Sequence, residues 1–96
     1  MPDFQLTPAA LTDLEGIWRY TAEQWGVDQA ERYLDELNQT FAALARSPKT
    51  ATGCDHIRPG YRRQFVEHHV VYFKLEGATL LVVRVLHERM DAGRHV

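Results

Sequence analysis

The sequence predicts a single α+β domain in which a helical hairpin packs on one face of a small, mostly antiparallel sheet, in the order β-α-α-β-β-β. Three observations predict this fold. Apolar residues recur at three- and four-residue spacing up to about position 46, which is typical of amphipathic helices. From position 57 onward the pattern changes to two-residue alternation, which is typical of strands. At 96 residues, with 45% hydrophobic and 25% charged side chains, the chain has the size and composition of one small core.

The first strand and the first helix meet at a clear helix start. Residues 4–6 alternate apolar and polar, and Thr7 and Pro8 then have the character of an N-cap and a first helical residue. The helix is predicted to end near Trp25, with Gly26 in the left-handed position that closes it. Both tryptophans are expected in the core, because the predicted buried stripe comprises Leu11, Leu14, Ile17, Trp18, Thr21 and Trp25.

A second helix is predicted to follow at once, started by a capping box over residues 28–31. It ends at Ser47-Pro48, because proline cannot continue the turn. Its predicted apolar face comprises Ala30, Tyr33, Leu34, Leu37, Phe41, Leu44 and Ala45. Residues 47–56 are small, polar and glycine-containing, which predicts an exposed loop with Cys54 as an incidental thiol.

Three antiparallel strands are predicted in the second half, over about residues 61–66, 69–75 and 80–86, with the short first strand joining their sheet. Turns are expected at Glu67-His68 and at Glu76-Gly77. The dense apolar run 80–86 predicts the central strand of the core, in which only Arg84 is unexplained by simple burial. The polar tail that follows is expected to extend into solvent.

The sheet face away from the helices is also predicted to be apolar, because residues 70–75 and 80–86 carry apolar side chains in both parities. An exposed apolar patch of more than a few hundred Å² usually marks a binding site. Two explanations remain open: a partner covers this face, or the tail and loops fold back over it.

Charge is divided unevenly along the chain. Residues 1–55 hold nine acidic and four basic side chains, a balance of −5, whereas residues 56–96 hold four acidic and seven basic side chains, a balance of +3, together with all five histidines. This pattern fits a solvated acidic helical face, or an acidic back and a basic front that meets an acidic partner or a nucleic acid. A duplex-DNA binder would usually be more basic.

Neither a metal nor a cofactor is expected. The chain contains no HExxH motif, paired cysteines, glycine-rich phosphate loop or nucleophile elbow. A single cysteine, no secretory leader pattern and no apolar run of about 18 residues predict a cytoplasmic protein without a membrane span.

Two basic groups, in residues 58–63 and 84–95, are candidates to converge in an antiparallel meander. Arginines together with a histidine and a tyrosine are residue types that would stabilise the phosphorane-like transition state of RNA cleavage and move the 2′-hydroxyl proton. The sequence does not identify a general base, and solvated strand ends are the simpler explanation. Catalysis is therefore not the leading interpretation.

Nearly the whole chain resembles the RelE/ParE toxin superfamily. The helical half of the resemblance is carried by Thr7-Pro8-Ala9-Ala10, Asp13-Leu14, Ile17-Trp18-Arg19-Tyr20-Thr21, Trp25-Gly26, Gln29-Ala30, Tyr33 and Leu37. The sheet half is similar to the ParE branch in Ile57-Arg58-Pro59-Gly60-Tyr61-Arg62, His69-Val70-Val71-Tyr72, Arg84-Val85-Leu86-His87-Glu88-Arg89-Met90-Asp91 and Arg94-His95. The resemblance implies one ParE-like toxin domain over residues 1–96, the toxin half of a type II toxin–antitoxin pair.

The resemblance also implies two partners. A ParD-like ribbon-helix-helix antitoxin is expected to wrap the toxin in a hetero-oligomer, with contacts at Val70, Tyr72, Leu80 and Val82. DNA gyrase is the implied target, inhibited by binding rather than catalysis, with contacts at Arg58, Tyr61, Arg62, Arg84, His87, Arg89, Arg94 and His95. The tail after Met90 is expected to differ between the free and bound states.

Two alternatives remain open. The RelE branch cleaves messenger RNA on the ribosome, for which Arg62, Arg84 and His87 are the candidate residues. Against this, no tyrosine follows Tyr72 and the net charge is −2. The other alternative is a degenerate toxin that acts only as an antitoxin-binding or regulatory module.

Overall fold

The computed structural model describes residues 3–96 as a five-stranded sheet with two long helices on one face. The elements are β1 (Asp3–Leu6), α1 (Pro8–Trp25), α2 (Val27–Arg46), β2 (Thr52–Gly53), β3 (Arg62–Val66), β4 (His69–Glu76), β5 (Thr79–His87) and α3 (Ala92–His95). The strand order is β1-β5-β4-β3-β2, with β1 parallel to β5 and the other pairs antiparallel. The predicted α+β class and element order are confirmed, with β2 and α3 as additions and with β4, rather than β5, at the centre of the sheet.

The start of α1 is built as the sequence predicted. Pro8 is the first helical residue, and the Thr7 hydroxyl accepts a hydrogen bond from the Ala10 N–H at 3.0 Å. The same hydroxyl donates to the Val83 carbonyl at 2.7 Å. The helix cap therefore also fixes α1 to β5.

The predicted capping box at residues 28–31 is wrong. Gly26, with φ of 96°, ends α1 by donating its N–H to the Ala22 carbonyl at 2.9 Å, and α2 begins directly after it at Val27. No side chain caps α2, and Asp28 lies inside the first turn. There its carboxylate complements the positive end of the helix dipole instead of bonding to the backbone.

The main core lies between the helical hairpin and the sheet. The predicted apolar face of α2 is confirmed, and Phe41 is fully buried with its ring 5.5 Å from that of Phe4 in an edge-to-face arrangement. Burying one such large side chain contributes about 1.5–3 kcal/mol. The sheet contributes Val66, Val71, Phe73, Leu80, Val82 and Val85.

The predicted apolar face of α1 is partly wrong. Its inner positions are buried, at Leu14, Ile17 and Thr21, but Leu11, Trp18 and Trp25 are 48%, 38% and 74% exposed. These last three residues are spaced by seven positions, so they share one line along the helix at the margin of the buried stripe. This line is termed the α1 stripe. Periodicity alone does not separate a wide core stripe from a narrow one with an apolar margin.

A second, smaller core covers the opposite sheet face. It consists of Cys54, Val70, Tyr72, Leu86 and Ala92, flanked by Ile57, Tyr61 and Val96. Of the two explanations for an apolar second face, the structure shows that the chain's own loop and tail cover it.

The predictions of an exposed loop over residues 47–56 and of a solvated tail are partly wrong, because most of these residues are exposed but Ala51, Cys54 and Ala92 are buried. Residues 48–50 form a 3₁₀ turn and residues 52–53 form β2, and Ala51 and Cys54 are buried. The tail folds back as α3, with Ala92 buried. The small buried residues Cys54 and Ala92 pack on the second face, so these segments cover it. The polar composition of the segments does not reveal this packing.

A β-bulge interrupts β5 next to the end of β1. Tyr72 pairs with Arg84 and Phe73 pairs with Val82, so Val83 is an extra residue on β5. The bulge brings Arg84 beside α1.

None of the helices within residues 3–96 has the length and apolar content needed to cross a membrane.

Candidate functional site

A cavity of about 480 Å³ opens at the end of the sheet where β4 begins and β5 ends. It is termed the histidine–aromatic cavity. Residues of α1, α2, the β3–β4 turn and the two strand ends line it: Tyr20, Thr21, Trp25, Gln29, Arg32, Tyr33, Glu36, Glu67, His68, His69 and His87. Pockets of about 300–1,000 Å³ are typical of ligand sites.

A tyrosine–histidine pair forms the floor of this cavity. The Tyr33 hydroxyl donates to the Val66 carbonyl at 3.1 Å and lies 2.6 Å from Nδ1 of His69. The His69 Nδ1–H is then the donor to the tyrosine oxygen. Burial, reinforced by Glu36 and Glu67, raises the pKa of Tyr33 well above its usual range, so the phenol stays protonated.

The three histidines of the cavity form a group of rings. The centroids of His69 and His87 are 5.5 Å apart in an edge-to-face arrangement, and those of His68 and His87 are 6.4 Å apart and nearly parallel. Burial, followed by His87 and His68, lowers the pKa of His69 to about 4. His69 is therefore neutral at pH 7. Among residues 3–96, no three histidine, cysteine or carboxylate side chains are positioned to hold a metal ion.

Arg84 is held by Asp13 of α1. Its Nε and Nη2 donate to the two carboxylate oxygens at 2.8 Å each, and the Val85 N–H donates to the same carboxylate at 2.9 Å. The Arg84 and Asp13 side chains are only 20% and 13% exposed. The hydrogen bond to Asp13 raises the pKa of Arg84, against a smaller opposing effect of burial. Arg84 thus joins β5 to α1.

Arg62 and Tyr61 are also engaged within the chain. The Arg62 Nη1 donates to the Ala51 carbonyl at 2.8 Å, and the Tyr61 ring lies 5.8 Å from the Lys74 ammonium. Both side chains are half-buried. They hold the covering loop on the sheet.

The structure does not bring Arg62, Arg84 and His87 together. Arg62 pairs with Phe73, four residues along β3 from the Val66–His69 pair beside His87, which is about 13 Å at the usual strand rise. Arg84 pairs with Tyr72 of the second core, whereas His87 opens into the cavity on the helix side. General acid–base groups need hydrogen-bond reach of one reacting centre, and these three residues are not so arranged.

The exposed basic residues lie around the tail. Arg58, Arg89, Arg94 and His95 are exposed, and they form the tail surface. Arg58 Nε donates to the Val96 carbonyl at 2.8 Å, and Arg84 Nη1 donates to the His95 carbonyl at 3.1 Å. Arg94 makes only an exposed ion pair with Asp91 at 3.5 Å, of a kind that contributes little.

The four residues predicted to contact an antitoxin lie in two different cores. Val70 and Tyr72 are 3% and 4% exposed beneath the tail and loop, and Leu80 and Val82 are fully buried beneath the helices. The α1 stripe is instead an open line of apolar side chains. Its seven-residue spacing was the available signal in the sequence, but the same residues also fit a core stripe.

The helical hairpin on a five-stranded sheet, with a short terminal helix on the other face, has a counterpart among solved structures. A solved structure described as the chromosomal ParDE TA system from P. aeruginosa has the same fold, with a TM-score of 0.78 over 91% of this chain and 96% of that chain. Its sequence identity is 19%, so this likeness concerns the fold alone.

Sequence comparison identifies the family. The family described as ParE toxin of type II toxin-antitoxin system, parDE, matches residues 4–92. Toxin ParE1 of Mycobacterium tuberculosis is 46% identical over 94 residues, covering 97% of this chain and 96% of that protein. Toxin ParE of Escherichia coli is 40% identical over 95% of this chain and 89% of its own length, and Toxin ParE1 of Caulobacter vibrioides is 36% identical over 100% and 99%. The chain belongs to the ParE toxin family of type II toxin–antitoxin systems.

Proposed function

We propose that the chain acts in the cytoplasm as a toxin that binds and inhibits DNA gyrase, and that a ParD-like ribbon-helix-helix antitoxin neutralises it. Membership of the ParE toxin family is the observation that carries this proposal. The separation of Arg62 and Arg84 from His87 supports inhibition by binding over RNA cleavage by these residues.

The tail surface is the proposed contact with gyrase. Its members, Arg58, Arg89, Arg94 and His95, are exposed in the more basic half of the chain. Arg62 and Arg84 support this surface through their bonds to the loop and to α1, and Tyr61 and His87 lie half-buried beside it. Exposed basic side chains suit recognition of an acidic surface.

The antitoxin has two proposed contacts. The α1 stripe is open, and an apolar face of this kind suits the apolar side of an amphipathic segment. Val70 and Tyr72 are reached only when α3 leaves the second face, so the proposed contact there requires the tail to move. Leu80 and Val82 are buried beneath the helices. They therefore position the helices and do not contact the antitoxin directly.

Supercoiling of relaxed plasmid by purified gyrase tests the proposal. The wild-type chain in stoichiometric excess should abolish supercoiling, and Arg89→Ala with Arg94→Ala should raise the half-inhibitory concentration about tenfold, as loss of two rim charges at an interface would do. The matched control is Arg46→Ala with Lys49→Ala, which removes the same charge at the far end of α2 and should change nothing. No inhibition in stoichiometric excess would overturn the proposal.

The two alternatives give different results in parallel assays. A RelE-type ribonuclease would produce new cleavage sites in translated messages by primer extension, and these would be lost in His87→Ala. A degenerate toxin would leave supercoiling intact and would be harmless when expressed without an antitoxin.

A further inference from the structure

We propose that the histidine–aromatic cavity binds an arginine side chain of a partner protein. The first observation is a set of aromatic faces at the cavity, two of them exposed and the third, that of Tyr33, tilted against the His69 ring at 5.5 Å. Tyr20 and Trp25 are 64% and 74% exposed at the cavity, and half-buried Tyr33 forms its floor. Aromatic faces attract cations through the ring quadrupole, and grouped rings of this kind recognise organic cations.

The second observation is the charge of the cavity. Glu36 of α2 and Glu67 of the β3–β4 turn line it, and both influence the Tyr33 hydroxyl on its floor. Arg32 is the one cationic side chain among the lining residues, and its Nε is directed to the Asp28 carbonyl of its own helix at 3.5 Å. The lining therefore holds two carboxylates against one guanidinium, and its partly buried His69 is neutral at pH 7. An anion such as a phosphate is disfavoured, and a cation is favoured.

Arginine fits this lining better than lysine. Its planar guanidinium stacks on aromatic rings, donates two parallel N–H bonds to a carboxylate and is more weakly hydrated than an ammonium. The volume of about 480 Å³ accommodates a guanidinium group and its stem. The site thus suits an arginine presented by a protein segment that also passes over Trp25.

The backbone at Glu67 allows binding to be separated from stability. Glu67 has φ of 54°, the one non-glycine residue with positive φ in the described chain. For glutamate this left-handed conformation costs about 1 kcal/mol, and asparagine adopts it more easily. Glu67→Asn should therefore stabilise the β3–β4 turn while removing a carboxylate from the cavity.

Titration of Trp18→Phe protein with N-acetyl-arginine amide tests the proposal, because Trp25 is then the only fluorescent indole. We expect saturable quenching with a dissociation constant on the order of 1–10 mM, since a single side chain contributes little affinity. The uncharged citrulline analogue should bind about tenfold more weakly, and the lysine analogue about threefold more weakly.

Variants assign the effect to the cavity. In the Trp18→Phe background, Glu36→Gln and Glu67→Asn should each weaken arginine binding about fivefold. Glu31→Gln, which removes an exposed carboxylate of α2 outside the lining, should leave it unchanged. Urea unfolding should show that Glu67→Asn is at least as stable as its parent. Equal binding of arginine and citrulline, equal loss in Glu31→Gln, or a non-saturating response would each overturn the proposal, whatever the supercoiling assay shows.

Discussion

The Asp13 carboxylate is one of the polar groups that connect the helices to the sheet. It accepts three hydrogen bonds, two from the Arg84 guanidinium and one from the Val85 N–H. The parallel partner β1 ends at Leu6. Beyond that point the Asp13 carboxylate, instead of a neighbouring strand, accepts the hydrogen bond from the Val85 N–H of β5. Bidentate, partly buried pairs of this type are costly to break, because the remaining charge is left without a partner.

Asp13→Asn should lower the free energy of unfolding by about 2–3 kcal/mol, as expected for breaking a partly buried, hydrogen-bonded ion pair. Urea denaturation measures this change. Glu15→Gln, an exposed carboxylate on the same helix, should stay within about 0.5 kcal/mol of wild type. If Asp13→Asn is as stable as the control, the ion pair does not anchor β5 to α1.

His69 should make stability depend on pH. Its folded-state pKa is about 4, below its ordinary value of 6.5, because burial and the neighbouring His87 and His68 disfavour the charged ring, while Glu88 and Asp13 oppose this less strongly. The unfolded chain therefore takes up the proton first. The stabilisation is complete above pH 6.5 and is lost as pH falls from 6.5 towards 4.

Urea unfolding of wild type and His69→Gln at about pH 7.5 and about pH 5 measures this effect. The loss of stability on acidification should be about 1–2 kcal/mol smaller in His69→Gln, a value reduced from the full linkage effect because the ring is only partly buried. His56→Gln, which replaces an exposed histidine of the covering loop, should retain the wild-type pH dependence. An identical pH dependence in His69→Gln would show that its burial is not the cause.

At the scale of elements, α3 is a cover whose position depends on its contacts. A four-residue helix is not stable in isolation. It is held by Ala92 and Val96 in the second core, by Arg58 and Arg84 bonding to its last carbonyls, and by the Asp91 carboxylate, which accepts from the Gly93 N–H at 3.0 Å. Beneath it, burial raises the pKa of the Cys54 thiol, which keeps the thiol protonated and unreactive.

Labelling of Cys54 with a disulfide reagent reports the opening of this cover. Ala92→Gln places a long polar side chain in the second core, so it should raise the labelling rate about tenfold, equivalent to about 1.4 kcal/mol of easier opening. Arg94→Ala, on the exposed side of the same helix, should leave the rate unchanged. Equal rates in all three proteins would mean that α3 does not protect the second core.

The helices and strands were largely predictable from the sequence. Which of their residues are buried was less predictable. The boundaries of α1 are predicted by local signals at Thr7, Pro8 and Gly26. The alternation of apolar and polar residues after position 57 predicts the strands. The burial of Cys54 and Ala92 and the exposure of Trp18 and Trp25 depend instead on which segments meet across the sheet. Tertiary contacts decide these features, and local periodicity does not contain them.

The candidate sites show the same division. Exposure of Arg89 and Arg94 agrees with their place in a polar tail, whereas the pairing of Arg84 with Asp13 joins residues 71 positions apart. The histidine–aromatic cavity likewise combines α1, α2 and the ends of β4 and β5. No motif within one segment signals such a site.

At the scale of the whole molecule, the fold separates the two charge groups found in the sequence. The acidic half forms the helical hairpin with its open α1 stripe, and the more basic half forms three of the five strands and the tail surface. One small domain can therefore present different surfaces to an antitoxin and to a target. We propose that neutralisation is the removal of the toxin from gyrase by an antitoxin that also contacts the second face.

The most direct test is gyrase supercoiling measured with the chain alone and after mixing it with an equimolar amount of its cognate antitoxin. We expect complete inhibition by the chain alone and full recovery of supercoiling in the presence of the antitoxin. Undiminished supercoiling with the chain in excess would contradict the proposed target, and inhibition that persists with bound antitoxin would contradict the proposed neutralisation.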